Sequence, residues 1–447
     1  MKKILNFLCV FLYMCIFTAC PFFKNSKEEL PEYKPDVLWT KKFIGYSFLM
    51  IPEQYDNFIY GIETQEIDDV YYSHVYKFDL ATGEFIWKTK DFKSRTEHAP
   101  ILIKNKVYIY SNFGKFLCFD DETAELLATV VLAKDEESSV KNAWCFTTIN
   151  VNDEHICYSY ENNNHLNDDG IMRLKLSDID FSKSPEEIQY IEPDLIWCGT
   201  QVNERYNTDE RIQSCFAIDE GILYYITTDR IDTGPFKSKL GAINVASAEV
   251  LWEREVDLEG INDKPFNIIG NYLYVIECGA GCYDKKTGEC IWETCQTQED
   301  LMTEDYVGGQ TFCGAGQFYS KGCLFYTTDA SAITSSIMGY PKELVTNIKC
   351  LDLEKSMKNK KATLKWSYMP EGCASLGTRP IVTNGQVFVT AYNCGLYVFE
   401  EDTGKVIGVC KDYYFPGMER NFLYDGKVYF FDYDYENNVR TLVCFKP

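Results

Sequence analysis

The chain of 447 residues sets 44 Lys and Arg against 67 Asp and Glu, a net charge of −23. Nothing in it is basic enough to hold a polyanion, which excludes nucleic acid as a partner and gives the body no attraction to anionic lipid. Hydrophobic residues at 46%, with 32 Tyr and 29 Phe, favour strands over helices and rule out disordered and collagen-like chains. Length alone suggests about three domains of ~150 residues.

At the N-terminus, Lys2 and Lys3 precede an apolar run over residues 4–17. The run is shorter than the roughly 20 residues a membrane-spanning helix needs, so residues 1–19 are expected to be a cleaved secretory signal. Thr18 and Ala19 directly before Cys20 resemble a bacterial lipobox, with Phe17 where Leu is usual. That resemblance implies lipidation of Cys20, a membrane anchor of several acyl chains, and a tether over residues 20–35. In the alternative, the signal is an ordinary one and Cys20 is incidental. Pro21, where Asp would retain some lipoproteins at the inner membrane, points to the outer membrane, with the body facing the periplasm.

From residue 36 to 447 the chain repeats itself, and repeats take precedence over length in setting the fold. Asp79-Leu-Ala-Thr82-Gly83-Glu-Phe-Ile-Trp87 recurs as Asp284-Lys-Lys-Thr287-Gly288-Glu-Cys-Ile-Trp292 and, with drift, as Asn244-Val-Ala-Ser247-Ala248-Glu-Val-Leu-Trp252. Copies that lose the Trp run from Asp120 to Ala128 and from Glu400 through Thr403 and Gly404 to Gly408; stretched copies end at Trp197 and Trp366. Each reads as a hairpin: an apolar strand, a polar turn, then a strand closing on Trp.

A second series of short aromatic and β-branched strands is expected at 58–62, 107–110, 156–160, 222–226, 272–276, 323–327, 387–390 and 428–431. That makes eight strands against seven repeat ends. Trp39 supplies the missing end and has no strand of its own before it, while the C-terminal strand at 441–445 lacks a Trp. Joining them completes an eighth unit from both chain ends, the closure a circular array needs to protect its edges. The expected fold is therefore all-β: one eight-bladed propeller over 36–447, its N-terminal strand closing the last blade. Six of seven tryptophans fall at repeat ends, a structural placement.

The Asp-x-x-Thr-Gly-x-x-x-Trp signature resembles the repeat of the pyrroloquinoline-quinone-like (PQQ-like) propellers, the family of quinoprotein alcohol dehydrogenases and of the outer-membrane assembly lipoprotein BamB. Such a dehydrogenase would be expected to carry two adjacent cysteines beside its quinone, and none of the 19 cysteines here are adjacent. The acidic and Asn ligands for calcium cannot be aligned either. PQQ with calcium is accordingly not expected, and no other cofactor suggests itself. The four histidines include no pair three or four residues apart, and no Gly-x-Ser-x-Gly or phosphate-cradling glycine motif occurs.

Sixteen cysteines remain once Cys9, Cys15 and Cys20 are set aside. Many occupy apolar strand positions, as buried thiols do. Cys278, Cys282, Cys290 and Cys295 crowd one unit, where a disulfide or a metal is the alternative.

The third and sixth units, at 69 and 74 residues where the leanest has 40, carry insertions at 152–170, 177–194, 299–316 and 330–347. Long loops on a rigid scaffold carry binding, which makes Tyr158, Tyr160, Tyr306, Phe312, Ile337, Met338 and Tyr340 candidate contacts. Otherwise the insertions only cap neighbouring blades. The expected function is a monomeric, non-catalytic scaffold lipoprotein that binds an envelope protein, possible partners including the outer-membrane assembly machinery. The alternatives are an exported ligand-binding or quinoprotein dehydrogenase-like enzyme and a surface adhesin.

Overall fold

A computed structural model describes residues 30–44, 53–68, 70–94, 99–111, 114–136, 143–151, 153–162, 170–198, 201–203, 208–229, 238–258, 266–277, 279–296, 307–308, 316–329, 346–370, 379–391, 394–413, 421–434 and 439–447. The expected signal over 1–19 and Cys20 lie outside the described residues.

Alternating aromatic and β-branched residues build eight antiparallel sheets, and each sheet is one blade. The first holds Glu53–Tyr55, Phe58–Ile67, Val70–Asp79 and Glu84–Lys88 from the axis outward, and the pattern repeats around the ring. In the eighth blade three strands come from the C-terminus, and the fourth is Asp36–Ile44, paired antiparallel with Val439–Lys446. The expected closure holds, and all eight expected second strands are found.

The core is distributed the same way. Eight clusters of buried apolar residues each bridge two neighbouring blades. Phe43, Tyr76 and Phe431 join the last blade to the first, which shuts the ring. Burial between blades is what holds the array together, since an isolated four-stranded sheet leaves both faces in water.

One row recurs across the sheets: an aromatic on the second strand, a small residue on the third and Trp on the fourth. It reads Tyr224, Ala242, Trp252; Tyr274, Cys282, Trp292; Phe325, Cys350, Trp366; and Tyr429, Cys444, Trp39. The two outer rings approach over the small residue, with centroids 5.8 Å apart for Trp39 and Tyr429 and 5.9 Å for Phe325 and Trp366. Cysteine here is a small hydrophobe that leaves room for two rings.

A register shift sits next to the Trp position in every blade, because the outer strand takes one extra residue just before it. Such a bulge re-aims the side chains that follow. It turns Trp39 and Trp87 inward and leaves the preceding Leu38 and Ile86 45% and 50% exposed.

Candidate functional site

The repeat residues build the joints between blades. In the fifth blade Asp284 Oδ1 accepts from Lys286 N and Thr287 N, both at 2.9 Å, while Gly288 N donates 2.8 Å to Asp284 O. Those backbone donors, Thr287 foremost, hold the Asp284 carboxyl below its ordinary pKa. Asp79 accepts from Ala81 N and Thr82 N in the same way, and Thr403 Oγ1 donates to Glu400. The turn ends in a left-handed residue, Gly83 at φ 75°, Gly288 at 69° or Gly404 at 70°. The indole of the preceding blade lies on that glycine: Trp39 on Gly83, Trp252 on Gly288, Trp366 on Gly404. Three turns also offer a carbonyl to the incoming indole, with Trp87 Nε1 donating 2.7 Å to Asp121 O, Trp252 Nε1 3.2 Å to Lys285 O and Trp366 Nε1 2.9 Å to Glu401 O.

Two joints that keep their Trp are built differently. In the sixth blade the turn is replaced by a helix, Leu353–Asn359, which Asp352 caps by accepting 2.9 Å from Lys355 N. Trp292, arriving from the fifth blade, is 2% exposed, and its Nε1 has no partner among the described residues. Between the third and fourth blades Arg173 Nη1 takes the turn carbonyl of Val245, and Trp197 Nε1 donates 2.9 Å to Glu253 Oε1 instead.

Of the seven candidate contacts, Tyr306, Phe312, Ile337, Met338 and Tyr340 lie outside the described residues. Tyr158 and Tyr160 both belong to the strand His155–Asn162. Tyr158 is 1% exposed and packs on Tyr110 and Phe116 with ring centroids 6.1 Å from each. The aromatic alternation of this strand reads both as a blade strand and as part of the insertion at 152–170. Within 177–194, Ile188–Tyr190 pairs in parallel with Thr129–Val131 and adds a fifth strand to the second blade. That part of the insertion caps a neighbour. Residues 31–33, at the end of the span expected to be a tether, lie along the seventh blade: Tyr33 N donates 3.0 Å to Val409 O and Val409 N 2.8 Å to Pro31 O. These residues cover Gly408, the position where the seventh blade lacks its Trp.

The insertion at 299–316 is held at its middle by side chains that sequence reading missed. Tyr326 Oη donates 2.5 Å to Val307 O, and Gly308 O accepts from Thr328 Oγ1 at 2.7 Å and Lys349 Nζ at 2.9 Å. Lys349 is 1% exposed, and burial drives its pKa well below that of an exposed lysine. Nothing in the sequence separates it from a surface lysine on a strand. Nearer the axis, Asn267 Nδ2 donates to Gln317 Oε1, Arg379 Nε donates 3.1 Å to Gln317 O and Asn421 Nδ2 donates 3.3 Å to Arg379 O. This polar arc links the innermost strands of the fifth to eighth blades. In the first blade His74 lies between Glu63 at 2.6 Å and Asp91 at 3.3 Å.

Cys282, Cys290 and Cys295 are thiols without disulfides; Cys278 lies outside the described residues. Burial pushes the Cys282 and Cys295 thiols up to about 12. Among the described residues no group of three His, Cys, Asp or Glu side chains is placed to hold a metal ion.

No protein-family model matches the sequence, and no curated protein matches it. Solved structures do. A europium-containing methanol dehydrogenase superposes with a TM-score of 0.59 at 11% identity, over 93% of this chain and 95% of its own. The quinohemoprotein alcohol dehydrogenase of Comamonas testosteroni gives 0.58 at 12% identity, over 91% of this chain and 76% of that one. The fold is that of the quinoprotein alcohol dehydrogenases. BamB from Moraxella catarrhalis also matches, at 0.38 and 9% identity over 92% of this chain and 100% of that one. Likeness at such identities is a likeness of fold, and blades of this kind serve unrelated functions.

Proposed function

We propose that this protein is a non-catalytic scaffold of the cell envelope, lipid-anchored through Cys20 at the outer membrane, whose propeller presents its insertions to a protein partner in the periplasm. The observation that supports this reading is the clamp on Val307 and Gly308: three buried side chains of the sixth blade fix the middle of a long insertion to a rigid body. Val307 and Gly308, held this way, lose little freedom on binding. Tyr306 and Phe312 flank the clamp in sequence and are its proposed contacts. A photo-crosslinking residue placed at 306 or 312 in intact envelopes should capture one specific envelope protein; capture of nothing, or only of this chain, overturns the reading. An alkyne-labelled fatty acid should label the chain and spare the Cys20→Ser variant, and protease applied to whole cells should leave the body intact. Cleavage there favours the adhesin alternative.

A second reading rests on the likeness of fold to alcohol dehydrogenases, which would make the chain an exported ligand-binding or quinoprotein enzyme. A ligand that binds the native state raises the melting temperature by mass action. Saturating pyrroloquinoline quinone with calcium should produce no shift if the scaffold reading holds.

A further inference from the structure

The second and third blades meet over a cleft of about 500 Å³, within the roughly 300–1,000 Å³ range of small-molecule sites. It lies at a joint where the indole is missing, because Ala128 of the second blade occupies the position that carries Trp in six others. Leu176 and, within the 177–194 insertion, Ile179 pack in the same cluster as Ala128, and Phe181 stands out beyond them, 38% exposed. The Phe181 turn is firmly built: Asp180 N donates 2.9 Å to Gln189 Oε1, and Gln189 Nε2 donates 2.9 Å back to Asp180 O. The cleft is thus lined by two aromatic side chains, Tyr108 and Phe181.

Its charges are sorted by blade. Lys104 and Lys106 come from the second blade, and Asp153 and Glu154 from the third. Lys106 Nζ lies 5.0 Å from the centre of the Phe181 ring, and no ion pair engages Lys104 or Lys106 among the described residues. Lys175, also on the third blade, is partly neutralised by Asp194 at 3.4 Å. His155 has its pKa pushed down by burial and by Arg173, so it faces the cleft uncharged at neutral pH. Lys106 also stands opposite Asp120 on the neighbouring strand and helps to hold that carboxyl low, so Lys104 and Lys106 give the second-blade side of the cleft its positive charge.

We propose that this cleft binds a zwitterionic aromatic compound of the aromatic amino acid class. Its carboxylate pairs with Lys104 and Lys106, its ammonium with Asp153 and Glu154, and its ring lies against Phe181 and Tyr108. Charge-assisted hydrogen bonds at both ends fix the orientation, and cation–π contact between Lys106 and Phe181 holds the lysine above the ring plane. The site stands apart from the insertion at 299–316 that carries the proposed partner contacts, so either can fail without the other.

The test is calorimetric titration of the whole protein with L-tryptophan, tryptamine and indole-3-propionate. L-tryptophan should bind saturably at one site, with either singly charged analogue about tenfold weaker. Lys104→Met with Lys106→Met should weaken L-tryptophan by about tenfold or more, at unchanged melting temperature. Phe181→Ala, a change in an exposed turn, should weaken it as well. Absence of saturable binding, equal affinity for an analogue, or binding that survives the lysine substitutions overturns the proposal.

Discussion

The indole of Trp252 covers Gly288 so closely that a Cβ added there would stand 2.5 Å from the indole Cε3. The fourth blade is thereby keyed into the fifth, and the Thr-Gly step of the repeat acquires a double reason. Glycine is needed for a φ of 69° and for the absence of a side chain under the ring.

Gly288→Ala should therefore destabilise the fold by about 2–5 kcal/mol, the sum of a left-handed backbone cost of about 1–2 kcal/mol and an overpacking cost of about 1–3 kcal/mol. Gly322→Ala, at φ 78° with nothing within 4 Å of the added Cβ, carries only the first cost. Urea titrations of the two variants should differ accordingly; equal losses would remove the steric half of the account.

Trp366→Phe and Trp292→Phe give up similar ring area but different hydrogen bonds. The first abandons the Glu401 carbonyl, and the second removes an Nε1 that already lacks a partner. The Trp366 variant should be the less stable by about 1–3 kcal/mol, the cost of leaving a buried acceptor unmet.

Lys349 should imprint a pH dependence on stability. Its folded pKa lies well below the 10.5 of an exposed lysine, so between the two values the unfolded chain holds a proton that the folded chain lacks. Stability then rises with pH across that window, by up to about 1.4 kcal/mol per unit, and is lost as pH falls. Urea midpoints at pH 7, 8 and 9 should climb in the native chain and flatten in Lys349→Met.

The thiols of Cys118, Cys157 and Cys282 are each pushed up to about 12 by burial. Since thiolate is the reactive form, iodoacetamide at pH 8 should spare all three in the native protein and modify them after unfolding in guanidinium. Peptide mass spectrometry reads the outcome.

A chain beginning at residue 36 should be less stable than one beginning at residue 30. It loses two backbone bonds to Val409 and the edge contact of Tyr33 with Phe388 at 6.2 Å. The expected loss is roughly 1–3 kcal/mol in a urea titration.

Eight units, their closure by Asp36–Ile44 and the tryptophan-ended repeats were legible in the sequence, because a strand series with a fixed turn signature is a local property of the chain. Where a segment broke that rhythm, local pattern failed. The alternation at 155–162 read both as a strand and as an insertion, and only packing against Tyr110 and Phe116 decided for the strand. Asp352 has the residue type of a turn acceptor, yet the seven residues after it form a helix that takes over its carboxylate. The burial of Lys349, the cleft beside Ala128 and the common register of Cys118, Cys282, Cys350 and Cys444 each depend on which strands face one another across a blade or between blades. Sequence alone determined the strand rhythm and the number of blades. The tertiary structure decided which polar groups lost their water, since desolvation is a property of neighbours brought together by the fold and not of residues adjacent in the chain.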